Sequence, residues 1–185
     1  MALQIYCNEL ARIQKSIGKL DKPVEENEMK KVKQDLFKII NMVGCILYEE
    51  GENAFALECY NKVKEFCIGI FGENHPDVAT CLNNIASVYD NLGDNKKALE
   101  YHEKSLQMCI KIFGENHPNV ATSLNNIGLI YINLGDNKKA LEYHEKSLQM
   151  RIKIFGENHP DVATSLNNIT YVLTNLSDYK SALFS

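Results

Sequence analysis

From Val78 onward, apolar residues recur at Val78, Leu82, Ile85, Val88 or Tyr89, and Leu92. Steps of three and four residues place them on one face of a helix. The stretch opens on His75-Pro76-Asp77, where proline suits the first helical turn because its missing N–H is not needed there, and an acidic residue favours the positive end of the helix dipole. "NLGD" follows at 91–94, with Gly93 suited to a left-handed turn and Asp94 placed to cap what comes next. A second apolar face then runs through Ala98, Leu99, Leu106, Ile110 and Phe113 until Gly114 ends it. Two helices of roughly 16 to 19 residues, each about 24 to 28 Å long, are predicted, and so short a link makes them antiparallel.

The same pattern is written again. "FGENHPDVAT" begins at Phe71 and at Phe155, and "FGENHPNVAT" at Phe113, a spacing of 42 residues. Residues 75–116 and 117–158 differ at only seven of 42 positions. A weaker copy occupies 33–74, with Ile40, Val43, Gly44, Leu47, Gly51, Ala56 and Tyr60 in register, and a fourth starts at 159. In that last copy a second helix is expected to begin at Asp178 and to stop after about two turns. One helix pair cannot bury its own apolar faces, so the pairs are expected to stack into a right-handed superhelical solenoid, all-α throughout. Ahead of the array, Leu3, Tyr6, Leu10, Ile13, Ile17 and Leu20 form one apolar seam before "GKLDKPVEENE" breaks it. Residues 1–28 are therefore read as a capping helix with its linker, a short coiled-coil contact being the alternative, and 29–185 as the repeat array.

Leu82, Ile85, Ala86, Tyr89, Gly93, Ala98 and Ser105, matched by Leu124, Ile127, Gly128, Tyr131, Gly135, Ala140 and Ser147, resemble the tetratricopeptide pattern of large, small and turn residues. The 42-residue period, with "ALEYHEKSL" in the second helix, is similar to the longer-helix form found in kinesin light chains. The resemblance implies a protein-binding array whose inner wall, built from first helices, takes a peptide or a partner helix. By register that wall would present Asn41 and Tyr48, then Asn83, Ser87 and Asp90, then Asn125, Leu129 and Ile132, then Asn167 and Tyr171. The matching asparagines of kinesin light chains bracket a peptide backbone, a use suited to a side chain carrying both a donor and an acceptor. The alternative for the column is a structural bond to the neighbouring helix. Among the wall positions only Lys38 is basic, so the acidic-cargo and terminal-carboxylate specificities of related arrays are not carried over.

Composition narrows the reading further. A net charge of −4, with lysines and glutamates interspersed, gives neither a nucleic-acid footprint nor a polybasic membrane patch. No apolar run approaches the roughly 18 to 20 residues of a membrane span, and a cytoplasmic location is expected. Six cysteines stand in no C-x-x-C arrangement, and the repeats replace Cys81 by Ser123 and Cys109 by Arg151, so they are expected to be reduced packing residues. His75, His117 and His159 occur once per repeat, too far apart to share a metal, and no catalytic motif is present.

The sequence thus predicts a non-enzymatic adaptor without cofactor or metal, binding a protein or peptide on its inner wall. A structural, self-associating module and a piece of a larger signalling protein are the alternatives. Ile169, Val172, Leu173, Leu176, Leu183 and Phe184 would form an uncapped apolar edge in the last unit, open to homodimerisation.

Overall fold

The computed structural model describes residues 26–183, which form seven helices: α1 (Glu26–Glu49), α2 (Asn53–Phe71), α3 (Pro76–Asn91), α4 (Asn95–Phe113), α5 (Pro118–Asn133), α6 (Asn137–Phe155) and α7 (Pro160–Leu183). No strand occurs among the described residues. The seam from Leu3 to Leu20 lies outside them. α1 starts at Glu26, inside the segment read from sequence as a linker. The helices fall into two compact units divided between Cys59 and Tyr60, so that α2 runs across the division.

In the first unit, Phe37, Ile40 and Leu47 of α1 and Ala56 and Cys59 of α2 are buried, and the Cys59 thiol donates to the Ile40 carbonyl at 3.4 Å. In the second unit the repeat is laid out twice in full. His75 caps α3 by accepting the Asp77 N–H on Nδ1 at 3.3 Å, and its ring stacks on Phe71 with centroids 4.3 Å apart. His117 with Phe113, and His159 with Phe155, repeat both contacts. The repeated "F-G-E-N-H-P" is therefore a stacked loop that closes one helix and starts the next.

Between α3 and α4 the chain turns at Gly93, whose φ of +75° lies in the left-handed region that favours glycine. The Asp94 side chain then accepts the Lys97 N–H at 3.2 Å. The turn folds α4 back on α3. The Ser105 hydroxyl reaches the Ala79 carbonyl at 2.9 Å near one end of the pair, and Tyr89 stacks on Tyr101 near the other. Ser147 to Ala121 at 2.8 Å and Tyr131 on Tyr143 repeat this between α5 and α6. Between the pairs, Ala79, Leu106, Cys109, Val120, Leu124 and Ile127 form a continuous buried cluster.

The last unit departs from expectation. No second helix starts at Asp178; α7 runs unbroken to Leu183. The residue in register with Gly93 and Gly135 is Ser177, which cannot take the left-handed conformation cheaply and instead donates its hydroxyl to the Leu173 carbonyl at 3.0 Å, within the helix. Without the glycine the reversal is lost and the helix continues.

Candidate functional site

The positions expected to line the inner wall in the second unit lie on α3, α5 and α7. Hydrogen bonds fix how these helices line up. The Asn126 amide donates to the Asn83 Oδ1 at 2.9 Å, the Asn168 amide to the Asn125 Oδ1 at 2.9 Å, and the Asn133 amide to the Asp90 Oδ1 at 2.8 Å. Each joins residues 43 apart, one full repeat plus one position. This ladder sets equivalent residues of neighbouring first helices beside one another.

The ladder engages two members of the asparagine column, Asn83 and Asn125, in bonds to the neighbouring first helix. In both asparagine bonds the second asparagine of one repeat donates and the first asparagine of the preceding repeat accepts. Asn125 is buried, and its oxygen also faces the Nδ1 of His144 at 3.2 Å. Its oxygen thus holds helices together, as the structural alternative for this column expects. Asn83 is half-buried and Asn167 exposed. Asn41 and Tyr48 lie half-buried on α1 in the first unit.

Some wall positions change from repeat to repeat and others do not. Ser87, Leu129 and Tyr171 share one register, and the latter two expose 39% and 57% of their surface. Asp90 and Ile132 form the next register and are half-buried. Thr80, Thr122 and Thr164, all exposed, each donate to the carbonyl of the proline four residues back. No positive charge is contributed by any of these positions.

Beneath the wall sit two buried histidines, His102 on α4 and His144 on α6. Burial lowers the pKa of each from 6.5 to about 4, assisted at His144 by the Arg151 charge. An acceptor opposite Nδ1 requires that nitrogen of His144 to carry the proton, which leaves Nε2 a bare acceptor with no partner. A Cβ at Gly128 would stand 2.7 Å from this ring, so the imidazole fills the room that glycine leaves. These histidines are packing residues. His75, His117 and His159 are occupied as helix caps.

One inter-helix station carries three chemistries in three repeats. Cys67 faces Cys81, both fully buried; Cys109 faces Ser123; and Arg151, itself buried, donates from Nη1 to the Ser165 hydroxyl at 2.8 Å and to the Asp161 carbonyl at 2.9 Å. Where Cys109 stands, a cavity of about 140 Å³ opens among α3, α4 and α5, between the exposed Thr80 and Thr122. Sequence reasoning missed this cavity. Its signal was present, since Asn119, Ser123 and Cys109 are three of the seven positions at which the two near-identical copies differ from a neighbouring repeat.

At the other end of the array the α7 edge is partly bare. Leu166 and Leu173 are 48% and 47% exposed, whereas Leu124, in register with Leu166 and covered by α6, is 9% exposed. Ile169 and Leu176 are half-buried. Val172 is fully buried and so does not belong to the exposed edge predicted for it. The side chain of Leu183 and all of Phe184 lie outside the described residues.

Helix pairs repeated in tandem and joined by register-keeping bonds define an α-helical repeat protein. The chain belongs to the tetratricopeptide repeat family, which it matches over residues 36–111, 86–153 and 119–184. No curated protein matches it. Among solved structures it is similar to BtubC (BKLC) from P. vanneervenii, with a TM-score of 0.74 at 24% identity over 97% of this chain and 66% of that one. It is also similar to the TPR2AB domain of yeast Sti1, solved in complex with pHSP90 (TM-score 0.64, 20% identity, 82% and 51% coverage). A kinesin light chain-like protein of Podosopora anserina with nearly identical TPR-like repeats aligns with a TM-score of 0.63 at 17% identity, over 98% of this chain and 90% of that one. The chain spans just under two-thirds of BtubC. At these identities the likeness establishes the helical repeat fold, and the family is one of protein-interaction scaffolds. No described helix is long and apolar enough to cross a membrane.

Proposed function

We propose that this protein is a non-enzymatic adaptor that holds an extended segment of a partner protein along the wall made by α3, α5 and α7. The observation that carries the reading is one register that changes from half-buried Ser87 to exposed Leu129 and Tyr171, on helices whose paired asparagines are kept constant. A recognition surface needs varied side chains on a fixed frame, and an exposed tyrosine is an anchor of the kind that dominates binding energy, with an exposed leucine one repeat away adding apolar area. The Sti1 TPR2AB domain, a relative in fold, forms a complex with pHSP90. Panning a library of extended peptides on the immobilised protein tests it. Leu129→Asp and Tyr171→Asp, both at exposed positions, are expected to weaken selected peptides about tenfold or more. Peptides that bind both variants as tightly as the parent would refute the reading.

A second reading concerns the bare edge of α7. Because Ser177 keeps the helix straight, the chain does not fold a second helix back over Leu166 and Leu173. Leu166, Ile169, Leu173 and Leu176 recur at steps of three and four, a seam of the kind that pairs with its own copy about a two-fold axis, and a second copy of this chain is the occupant we infer. Light scattering over a concentration series should then show a dimer that Leu166→Glu and Leu173→Glu dissolve; a strict monomer at every concentration refutes this.

A further inference from the structure

The cavity at Cys109 has a filled counterpart one repeat later. Shifting its lining by 42 residues converts Cys109 to Arg151, Asn119 to Asp161 and Ser123 to Ser165. At that second station a guanidinium occupies the space, and its Nη1 donates to the Asp161 carbonyl and the Ser165 hydroxyl. The same two acceptors exist in the cavity. The Ser123 hydroxyl lies 3.0 Å from the Asn119 carbonyl, which holds both oxygens together, and Ser105 and Ser123 are almost wholly buried.

We propose that this cavity is a subsite for an arginine side chain of the bound segment, with Asn119 and Ser123 accepting its guanidinium N–H groups as Asp161 and Ser165 accept those of Arg151. The inference rests on the reading of α3, α5 and α7 as the binding wall, and adds to it a side-chain preference. Size permits it: a cavity of about 150 Å³ admits a benzene ring, and a guanidinium is smaller than that. Lining chemistry suits it: the hydroxyls of Ser105 and Ser123 and the side chains of Asn83 and Asn119 line the space beside Ala79 and Cys109, and no basic side chain does. Access is through the gap beside Thr80 and Thr122, on the wall itself. The stations differ in one respect that supplies a test. Asp161 brings a carboxylate beside Arg151, whereas Asn119 is neutral, so the cavity holds a cation less firmly than its counterpart does.

The probe is N-acetyl-arginine-N-methylamide, titrated into the isotope-labelled protein and followed by amide chemical shifts. Saturable shifts are expected at Thr80, Cys109, Asn119 and Ser123, with weaker effects from the capped citrulline and lysine analogues. Ser123→Ala should weaken the arginine probe about two- to tenfold, the worth of one hydrogen bond. Asn119→Asp should tighten it about two- to fivefold, the worth of a partly exposed ion pair. Cys109→Arg, which gives the site the side chain its counterpart holds, should abolish the shifts. Absence of saturable shifts, or shifts that ignore Ser123→Ala and Asn119→Asp, overturns the subsite. Extended peptides that bind through Leu129 and Tyr171 but neither contain arginine nor respond to Cys109→Arg would overturn the subsite while leaving the binding wall intact. A saturating arginine probe with no peptide binding anywhere would do the reverse.

Discussion

Acid should loosen this protein through two residues that never touch a ligand. His102 and His144 are 2% and 0% exposed, and burial holds each pKa at about 4 against 6.5 for an unperturbed imidazole. A group whose folded pKa lies below its unfolded value adds stability that is fully present above the unfolded pKa and lost as pH falls toward the folded one. The window is therefore about pH 6.5 down to 4. At about pH 5 the unfolded chain has protonated these histidines and the native one has not, which costs about 2 kcal/mol for each and about 4 for the pair. Against a total of about 5 to 15 kcal/mol for a typical domain that is a large fraction. Urea unfolding followed by far-ultraviolet circular dichroism at about pH 7.5 and pH 5 measures the loss, and His102→Gln with His144→Gln isolates it, because other titrating groups are common to parent and variant. The double variant will be less stable at neutral pH but should lose roughly 4 kcal/mol less on acidification. If it loses as much as the parent, the buried histidines are not the acid-sensitive groups.

Other perturbations have calculable outcomes. Gly135→Ser copies the residue of the fourth unit into the third, where φ is +77°, and should cost about 1 to 2 kcal/mol in urea unfolding; a neutral result would contradict the account of why α7 is continuous. Asn125→Ala strands the His144 Nδ1 proton and the Asn168 amide, and should cost about 1 to 3 kcal/mol, more than Asn83→Ala at its half-buried position. Equal costs in thermal or chemical melts would show that burial of Asn125 does not matter. Ser147→Ala leaves the Ala121 carbonyl without its side-chain donor and should cost about 1 kcal/mol, readable in the urea midpoint.

Much of the fold was legible because the chain states its own rules three times. Repetition of Gly93 as Gly135, of Asp94 as Asp136 and of the His-Pro start predicted where helices begin and reverse, and local backbone chemistry is sufficient for such boundaries. By the same rule Ser177, standing where Gly93 and Gly135 do, forbids the turn. The similarity of "NLSD" to "NLGD" suggested a turn, yet the one residue that changed is the one whose backbone conformation makes the turn. For the candidate site, the register of the wall could be read from the period, whereas the use made of Asn125 could not. Its role depends on His144, 19 residues away, and on Asn168, 43 residues away, and spacing alone does not show which oxygen meets which donor. The cavity was hidden for a related reason. Asn119, Ser123 and Cys109 look like scattered changes along the chain until two helices bring them together.

The inter-repeat bonds donated by asparagines have a kinetic meaning as well. Every one of them spans 43 residues, and the bonds inside a repeat span 26 or fewer. The sequence separation of contacts is therefore capped at about one repeat, however many repeats are joined. Since folding slows as that separation grows relative to chain length, an array of this kind becomes topologically simpler as it lengthens. Duplicating a 42-residue block would add a neighbour at the point of insertion without rewiring any older pairing, so growth by duplication need not create a slower or more entangled search for the native state.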